Sequence, residues 1–226
     1  MEIKIIKSIE DAKKATGLAV VIDVFRAFST EAYIFANGAE KIIPVKNLED
    51  AYALKKEHAE YLLVGERGGK KPDGFDFGNG PSEVVNVDFS GKTVIHTTSN
   101  GTKGLIEATK AETILTGSFV LADSIVKYIK DQNFQTISLI STSPETYTDN
   151  EDILLAYYIQ DKLHNKKIDE ADLKTKLMMA PAHSFLLQEA NVPQADIDLC
   201  LDFNRFDFII KKIFKNNILY LVKEDC

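Results

Sequence analysis

The 226-residue sequence predicts an α/β protein whose mostly parallel central sheet is covered on both faces by helices, a three-layer α/β/α architecture. Three observations carry this. Short apolar runs alternate with helical segments over the first two thirds of the chain, the pattern of a parallel sheet with helical crossovers. Residues 18–25 form a nearly unbroken apolar run interrupted by Asp23, as in a strand buried on both faces. Polar signatures recur where the apolar runs end, and open α/β sheets bind their ligands at the carboxyl ends of strands.

Taken in order, residues 1–8 alternate well enough for an opening strand, and the next strand starts at 18 and ends at Asp23. Ser29 and Thr30 are placed to cap a helix running to about residue 36, closed by Asn37-Gly38. Residues 41–45 read as a strand, 48–58 as a helix and 61–64 as another strand. Residues 65–81 hold six glycines and two prolines, so this stretch is a loop, and long loops inside compact units are more often functional than idle. A short helix from 82 to 85, a strand at 93–95, a helix at 102–109 and a strand at 113–115 follow. Residues 120–130 form a helix, 136–140 a strand, and 151–163 a strong helix that begins in an acidic cluster. The tail, 171–226, reads as helical segments with a late strand at 218–222. Within it the run 207–214 fits a helix face or a buried strand, and no chemical motif stands out. Residues 22–45 and 94–117 echo each other as strand, Ser/Thr-rich turn, helix and strand. The chain therefore reads as one domain over 1–226, or as two similar lobes at about 1–90 and 91–226.

Apolar residues make up 45% and charged residues 27%, ordinary for a globular protein of a length that can bury a real core. A net charge of -7 argues against a nucleic-acid or anionic-membrane partner. It leaves room for a small anionic substrate, because arginines and a metal can reverse the potential locally. No apolar run approaches the ~20 residues that span a bilayer, and the first residues lack a signal-peptide core, so the expected location is cytoplasmic. Cys200 and Cys226 have no metal-ligand spacing and predict no structural disulfide. A homodimer is compatible with the sequence.

Chemistry concentrates in four segments: VVIDVFRA (20–27), GERGG (65–69), GFDFGNGP (74–81) and HTTSNGT (96–102). Two of the three arginines, Arg26 and Arg67, lie in them, as if the rigid guanidinium fork matters there. A buried carboxylate at Asp23 either caps its turn or pairs with Arg26, or it holds Mg2+ through a hard oxygen at a strand end. Arg26, Ser29, Thr30 and the helix start beside them would make a phosphate seat. Glu66-Arg67-Gly68-Gly69 is an ordinary turn with a surface ion pair, or a loop whose amides and Arg67 fork clamp an oxyanion. Asp76, between Phe75 and Phe77, suggests a pinned side chain aimed inward, whereas Asp73 caps or faces solvent. Thr98, Ser99, Asn100, Gly101 and Thr102 offer more hydrogen-bonding groups than one helix cap needs. Asp149, Glu151 and Asp152 suit a helix N-terminus on dipole grounds alone, and Glu151 or Asp152 could also join the metal site. The four histidines have no zinc spacing, and His96 on a strand interior fits a satisfied core histidine. No phosphate-binding P-loop, dinucleotide fingerprint or Gly-x-Ser-x-Gly elbow is present.

Together these segments resemble the 2-phosphosulfolactate phosphatases (ComB-like) of the coenzyme M pathway. The matching pieces are VIDVFRAFST with ANGAEKIIPV, VGERGG, GFDFGNGPSE, and TTSNGTKG followed by TGSF, in order over about residues 18–120, with a weaker match at EDILLAYYI. The resemblance implies an α/β/α fold and Mg2+-dependent hydrolysis of a phosphate monoester on a small 2-hydroxy acid, 2-phospho-3-sulfolactate giving 3-sulfolactate and phosphate. Carried onto this chain, its motif positions are Asp23, Arg26, Ser29 and Thr30; Glu66, Arg67, Gly68 and Gly69; Asp76, Gly78 and Asn79; and Thr98, Asn100, Gly101 and Thr102. The expected metal ligands are Asp23, Glu66 and Asp76, with Glu151 or Asp152, and Arg26 and Arg67 are the expected anion clamps. Whether water or a carboxylate such as Asp23 attacks phosphorus is open at this level. The chain departs from the pattern at Phe28, at Gly80 where Ser is usual, and at Ser141-Thr142-Ser143. Two other readings stand beside this one: a phosphatase or phosphotransferase for another small phosphorylated acid, and a non-catalytic anion-binding protein.

Overall fold

The computed structural model describes residues 1–143, 150–179, 186–188, 192–216 and 218–226, and among these the apolar runs become the strands of one sheet. In chain order they are β1 (Glu2–Ile6), β2 (Leu18–Ile22), β3 (Lys41–Pro44), β4 (Leu62–Gly65), β5 (Thr93–Thr97), β6 (Thr113–Gly117), β7 (Thr136–Ser141), β8 (Phe208–Lys215) and β9 (Ile218–Asp225). The helices are α1 (Ala27–Ala36), α2 (Leu48–Glu57), α3 (Pro81–Val84), α4 (Gly101–Glu107), α5 (Ala122–Gln132), α6 (Glu151–Leu163), α7 (Glu170–Met179) and α8 (Gln194–Cys200). Among the described residues, no helix is long and apolar enough to cross a membrane.

The strand order is β1-β7-β2-β6-β8-β9-β3-β5-β4. β1, β7, β2 and β6 form one parallel group, in which Val20 of β2 lies opposite Leu115 on one side and Leu139 on the other. β3, β5 and β4 form a second parallel group. The β8–β9 hairpin lies between them and is antiparallel to both, so the two groups run in opposite directions. Helices flank this mostly parallel sheet in the three-layer α/β/α arrangement that the sequence predicts. All five residues of β2 are buried, which is why its sequence is apolar on successive positions rather than alternating. One large core runs through the β2 group, α1, α5 and α6, and a smaller one packs α2 against β3, β4 and β5 through Ile43, Ala51, Leu63 and Ile95.

Three local expectations are corrected. α1 begins at Ala27 rather than at a Ser29 or Thr30 cap, because Asp23 already receives the Ala27 amide on Oδ1 at 3.1 Å. The helix expected at 120–130 is a 3-10 turn, Phe119–Leu121, followed by α5, which ends at Asn133 in the left-handed region (φ 54°). The tail, expected to hold helical segments with a late strand at 218–222, ends in a full hairpin: that strand is β9, and 207–214, open between a helix face and a buried strand, becomes the strand β8. β8 reads FIIKKIFK, with apolar and lysine residues in doublets, and only its first three residues are buried, so no two-residue period marks it as a strand. Asn216 (φ 53°) takes the left-handed conformation that such a tight turn requires.

Candidate active site

At the end of β2 the chain turns through Asp23, Val24 and Phe25 into Arg26, and the Phe25–Arg26 peptide is cis. Asp23 is 8% exposed; its Oδ1 caps Ala27, and Oδ2 accepts no hydrogen bond among the described residues. Gly101, at the start of α4, reaches this carboxylate closely: a Cβ there would lie 2.8 Å from Asp23 Oδ2. Burial, aggravated by Asp152 and further by Glu66 and Glu31, pushes the Asp23 carboxyl from 3.8 up to about 8. Arg26 is buried too. It donates from Nη1 to Asp196 Oδ2 at 2.6 Å, and its other N–H groups have no hydrogen-bond partner among the described residues.

The first turn of α6 supplies the second wall. Asn150 caps the helix by accepting from the Ile153 amide, and Glu151 and Asp152 follow, both buried. Asp152 holds three backbone amides at once: Oδ1 accepts from Val24, and Oδ2 from Thr142 and Ser143, with both hydroxyls of those residues adding to it. It therefore ties the turn after β2 to the end of β7. Burial still raises its pKa against the pull of those hydrogen bonds. Glu151 accepts the Ser143 hydroxyl on Oε1 at 3.1 Å, while Oε2 is buried without a partner among the described residues. Burial, then Asp152, push Glu151 from 4.5 up to about 8. Asp149 lies outside the described residues.

The third wall comes from the ends of β4 and β5. Glu66 accepts the Gly69 amide at 2.7 Å and the Ser99 amide at 2.6 Å, and Ser99 Oγ also donates to it, so one carboxylate holds two loops. Gly68 (φ 58°) and Gly69 (φ 79°) are both left-handed, which a residue with a Cβ would resist. Arg67 donates from Nη1 to the Glu66 carbonyl and from Nη2 to the Lys46 carbonyl and Thr97 Oγ1, so its fork braces the loop. Thr98 and Thr102 bond to each other reciprocally and close the start of α4. Ser99 and Asn100 are exposed at this rim.

Other expected site residues sit elsewhere. Asp76 is exposed rather than aimed inward: its Oδ2 accepts the Leu63 amide and faces Lys55 at 3.8 Å, so it holds the middle of β4 instead of joining Asp23 and Glu66. Ser29 and Thr30 are fully buried, and their hydroxyls donate to the Val24 and Arg26 carbonyls of their own turn. Gly78 donates its amide to Glu83. Asn79 is buried against His96. Sequence reasoning missed two acids. Asp196, in the tail held to lack chemistry, receives both Arg26 and the Ser82 amide, and nothing in its local sequence signals this. Glu31 is the one charged residue in the apolar helix AFSTEAYIFA, and that isolation was a usable signal.

Among the described residues, no three His, Cys, Asp or Glu side chains are grouped closely enough to hold a metal ion. The donor chemistry nonetheless fits Mg2+ at two positions, Glu151 Oε2 and Asp23 Oδ2, oxygens of buried acids that have no hydrogen-bond partner among the described residues. Mg2+ is commonly bound through one or two carboxylates, with water and phosphate oxygens completing its octahedron.

Comparison with known proteins identifies a family. The family model for 2-phosphosulpholactate phosphatase matches residues 3–213. A probable 2-phosphosulfolactate phosphatase of Caldicellulosiruptor saccharolyticus is 41% identical over 159 residues, 69% of this chain and 66% of that protein, just under two thirds of its length. One of Caldanaerobacter subterraneus subsp. tengcongensis is 33% identical over 229 residues, covering 94% of this chain and 93% of that protein. One of Carboxydothermus hydrogenoformans is 38% identical over 195 residues, 86% and 78% of the two chains.

Proposed function

The chain belongs to the 2-phosphosulfolactate phosphatase family, and from that premise we propose that it hydrolyses the phosphate monoester of a small 2-hydroxy acid with Mg2+, 2-phospho-3-sulfolactate giving 3-sulfolactate and phosphate. Membership supports phosphatase, hence hydrolase, chemistry in general. The observation that carries the finer reading is the pair of buried acids Asp23 and Glu151, each pushed to about 8 and each keeping one unpartnered oxygen. A scaffold gains nothing from two such acids that raise each other's cost of ionising, whereas perturbed acids at strand and helix ends are what a cation-assisted reaction uses.

Asp23 and Glu151 would hold Mg2+, which when bound neutralises charge on the phosphoryl oxygens. Arg26, whose remaining N–H groups have no partner among the described residues, would donate to a phosphoryl or carboxylate oxygen. Asp152 and Glu66 would fix the loops around them through the backbone amides that they accept, and Arg67 would brace the Gly68-Gly69 turn. Residues 1–226 would act as one unit, since the β1-β7-β2-β6 group takes strands from both halves of the chain and the β8–β9 hairpin joins it to the other group.

A second reading, a phosphatase for another small phosphorylated acid, is favoured by Gly80. Where the family pattern has Ser, this glycine lets Asp196 pack so closely that a Cβ would lie 2.5 Å from Oδ2, and Asp196 holds Arg26. That changes the polar wall near the organic part of the substrate. Screening phosphorylated 2-hydroxy acids for phosphate release, with Mg2+ and with EDTA, tests both readings. The expected result is Mg2+-dependent release, greatest from 2-phospho-3-sulfolactate. Greater release from another acid favours the second reading, and no release from any acid by folded protein overturns the phosphatase reading.

A further inference from the structure

Three polar side chains from three distant segments form a buried chain beside the site. Glu31 of α1 and His96 of β5 are fully buried, with Glu31 Oε1 2.8 Å from His96 Nδ1. On the other side of the ring, Nε2 lies 3.1 Å from Asn79 Oδ1, in the loop that follows β4. An amide oxygen can only accept, so His96 donates from Nε2. Nδ1 and Glu31 Oε1 then share one further proton, as imidazole and carboxylic acid or as imidazolium and carboxylate. In either form the pair is net neutral and the Nε2 proton is fixed.

A network kept for stability alone would not leave a buried carboxyl oxygen unbonded, yet Glu31 Oε2 has no partner among the described residues. Apolar residues would fill the same space without that penalty. What the chain does achieve is the orientation of Asn79. With Oδ1 taken by His96, the Asn79 Nδ2 group has no acceptor among the described residues, although the residue is only 6% exposed. The next residue, Gly80, backs onto the Asp196 carboxylate that holds Arg26. On the cleft side, Glu31 is near enough to act on the Asp23 carboxyl.

We propose that Glu31 and His96 are positioning residues: they hold Asn79 with its oxygen turned inward and its Nδ2–H donors turned toward an oxygen of the anionic substrate. The proposal rests on the anion-binding site of the phosphatase reading, and its test is chosen to fail separately from that reading. Nitrogen-15 NMR of histidine- and asparagine-labelled protein reads the His96 tautomer and the Asn79 side-chain amide, with inorganic phosphate as the probe. In the parent and in Glu31→Gln, whose amide can donate to Nδ1, His96 is expected to carry its proton on Nε2, and the Asn79 resonances to move when phosphate is added. In Glu31→Leu the fixed tautomer and the Asn79 response are expected to disappear.

Kinetics should follow. Glu31→Gln stays within about threefold of the parent in kcat and KM, whereas Glu31→Leu raises KM about tenfold with kcat within about threefold. Asn79→Ala should reproduce the KM rise, and adding Glu31→Leu to it should change nothing further. A proton on His96 Nδ1 with Nε2 bare in the parent, Asn79 resonances indifferent to phosphate, or fully additive losses would each overturn the proposal. If Glu31→Leu does not fold, the tautomer and phosphate response of the parent decide. A parent that releases no phosphate from any acid, but shows the Nε2 proton and the Asn79 response, supports the positioning role and sinks only the phosphatase reading.

Discussion

Two loops leave the sheet carrying an acid and an arginine: Asp23 and Arg26 after β2, Glu66 and Arg67 after β4. In the second loop the polar groups are committed to the protein. Glu66 accepts from two backbone amides and a hydroxyl, and Arg67 donates to two carbonyls and a threonine. In the first loop they are not. Among the described residues Asp23 keeps one oxygen unpartnered, Arg26 keeps most of its donors, and Glu151, which feels the Asp23 charge, has a buried oxygen with nothing to accept. The same residue types thus build a frame in one place and leave capacity for a ligand in the other. Hydrogen-bonding capacity left over, rather than residue type, separates chemistry from scaffold.

The largest effect that could break this comparison is on stability. Asp152 belongs with the frame, so Asp152→Ala strands the Val24, Thr142 and Ser143 amides and should lower the unfolding free energy by about 3–5 kcal/mol in urea titration. Asp23→Asn should do the reverse. Its amide oxygen can still cap Ala27, so the fold is expected to survive while kcat drops about 100- to 1000-fold in a phosphate-release assay. A stable, fully active Asp23→Asn variant removes that carboxylate from the site.

The arginines sharpen the contrast further. Arg26→Lys keeps the charge but loses the fork, and kcat/KM should fall by roughly 30- to 1000-fold. Arg67→Lys, in the braced loop, should change kcat/KM by less than about threefold and lower the melting temperature slightly. Equal losses in the two variants would erase the distinction between the loops.

A smaller effect is expected in the pH dependence. Asp23 and Glu151 rise from 3.8 and 4.5 to about 8 on folding, so the folded state binds more protons than the unfolded one between those values. Their contribution to stability is complete below about pH 4 and is lost as pH rises through about 8. In EDTA, scanning calorimetry should show the melting temperature falling from about pH 5 to about pH 8, and the fall should shrink in Asp23→Asn. Mg2+ should raise the melting temperature more at about pH 8, where the carboxylates are charged, than at about pH 5.

Much of the fold was legible because continuous apolar runs such as LAVVI have few other destinations than a covered parallel sheet. The hairpin was not, since FIIKKIFK has no single period. Within the candidate site, Asp23, Arg26, Glu66 and Glu151 were legible as residues at strand and helix ends, and the structure places them there. Asp76 was misplaced, because flanking phenylalanines say nothing about which face of the loop an acid takes. Asp196 could not have been found: it meets Arg26 across 170 positions of chain. The committed state of Arg67 was equally hidden, because its acceptors are the Glu66 and Lys46 carbonyls and Thr97, and carbonyl direction is not written in side-chain identity.

The β8–β9 hairpin sets a temporal order on the molecule. A ribosome makes residues 208–225 after every other described strand, yet they lie in the middle of the sheet, between β6 and β3. Until they emerge, the strand group that carries Asp23 and the one that carries Glu66 have no hydrogen-bonded connection through the sheet. A nascent chain can hold two half-sheets, each with an open edge, well before it can close the cleft between them. Co-translational assembly of this candidate site would therefore wait on β8 and β9, and a chain stalled before Phe208 carries every named residue of the site with no sheet to join its two walls.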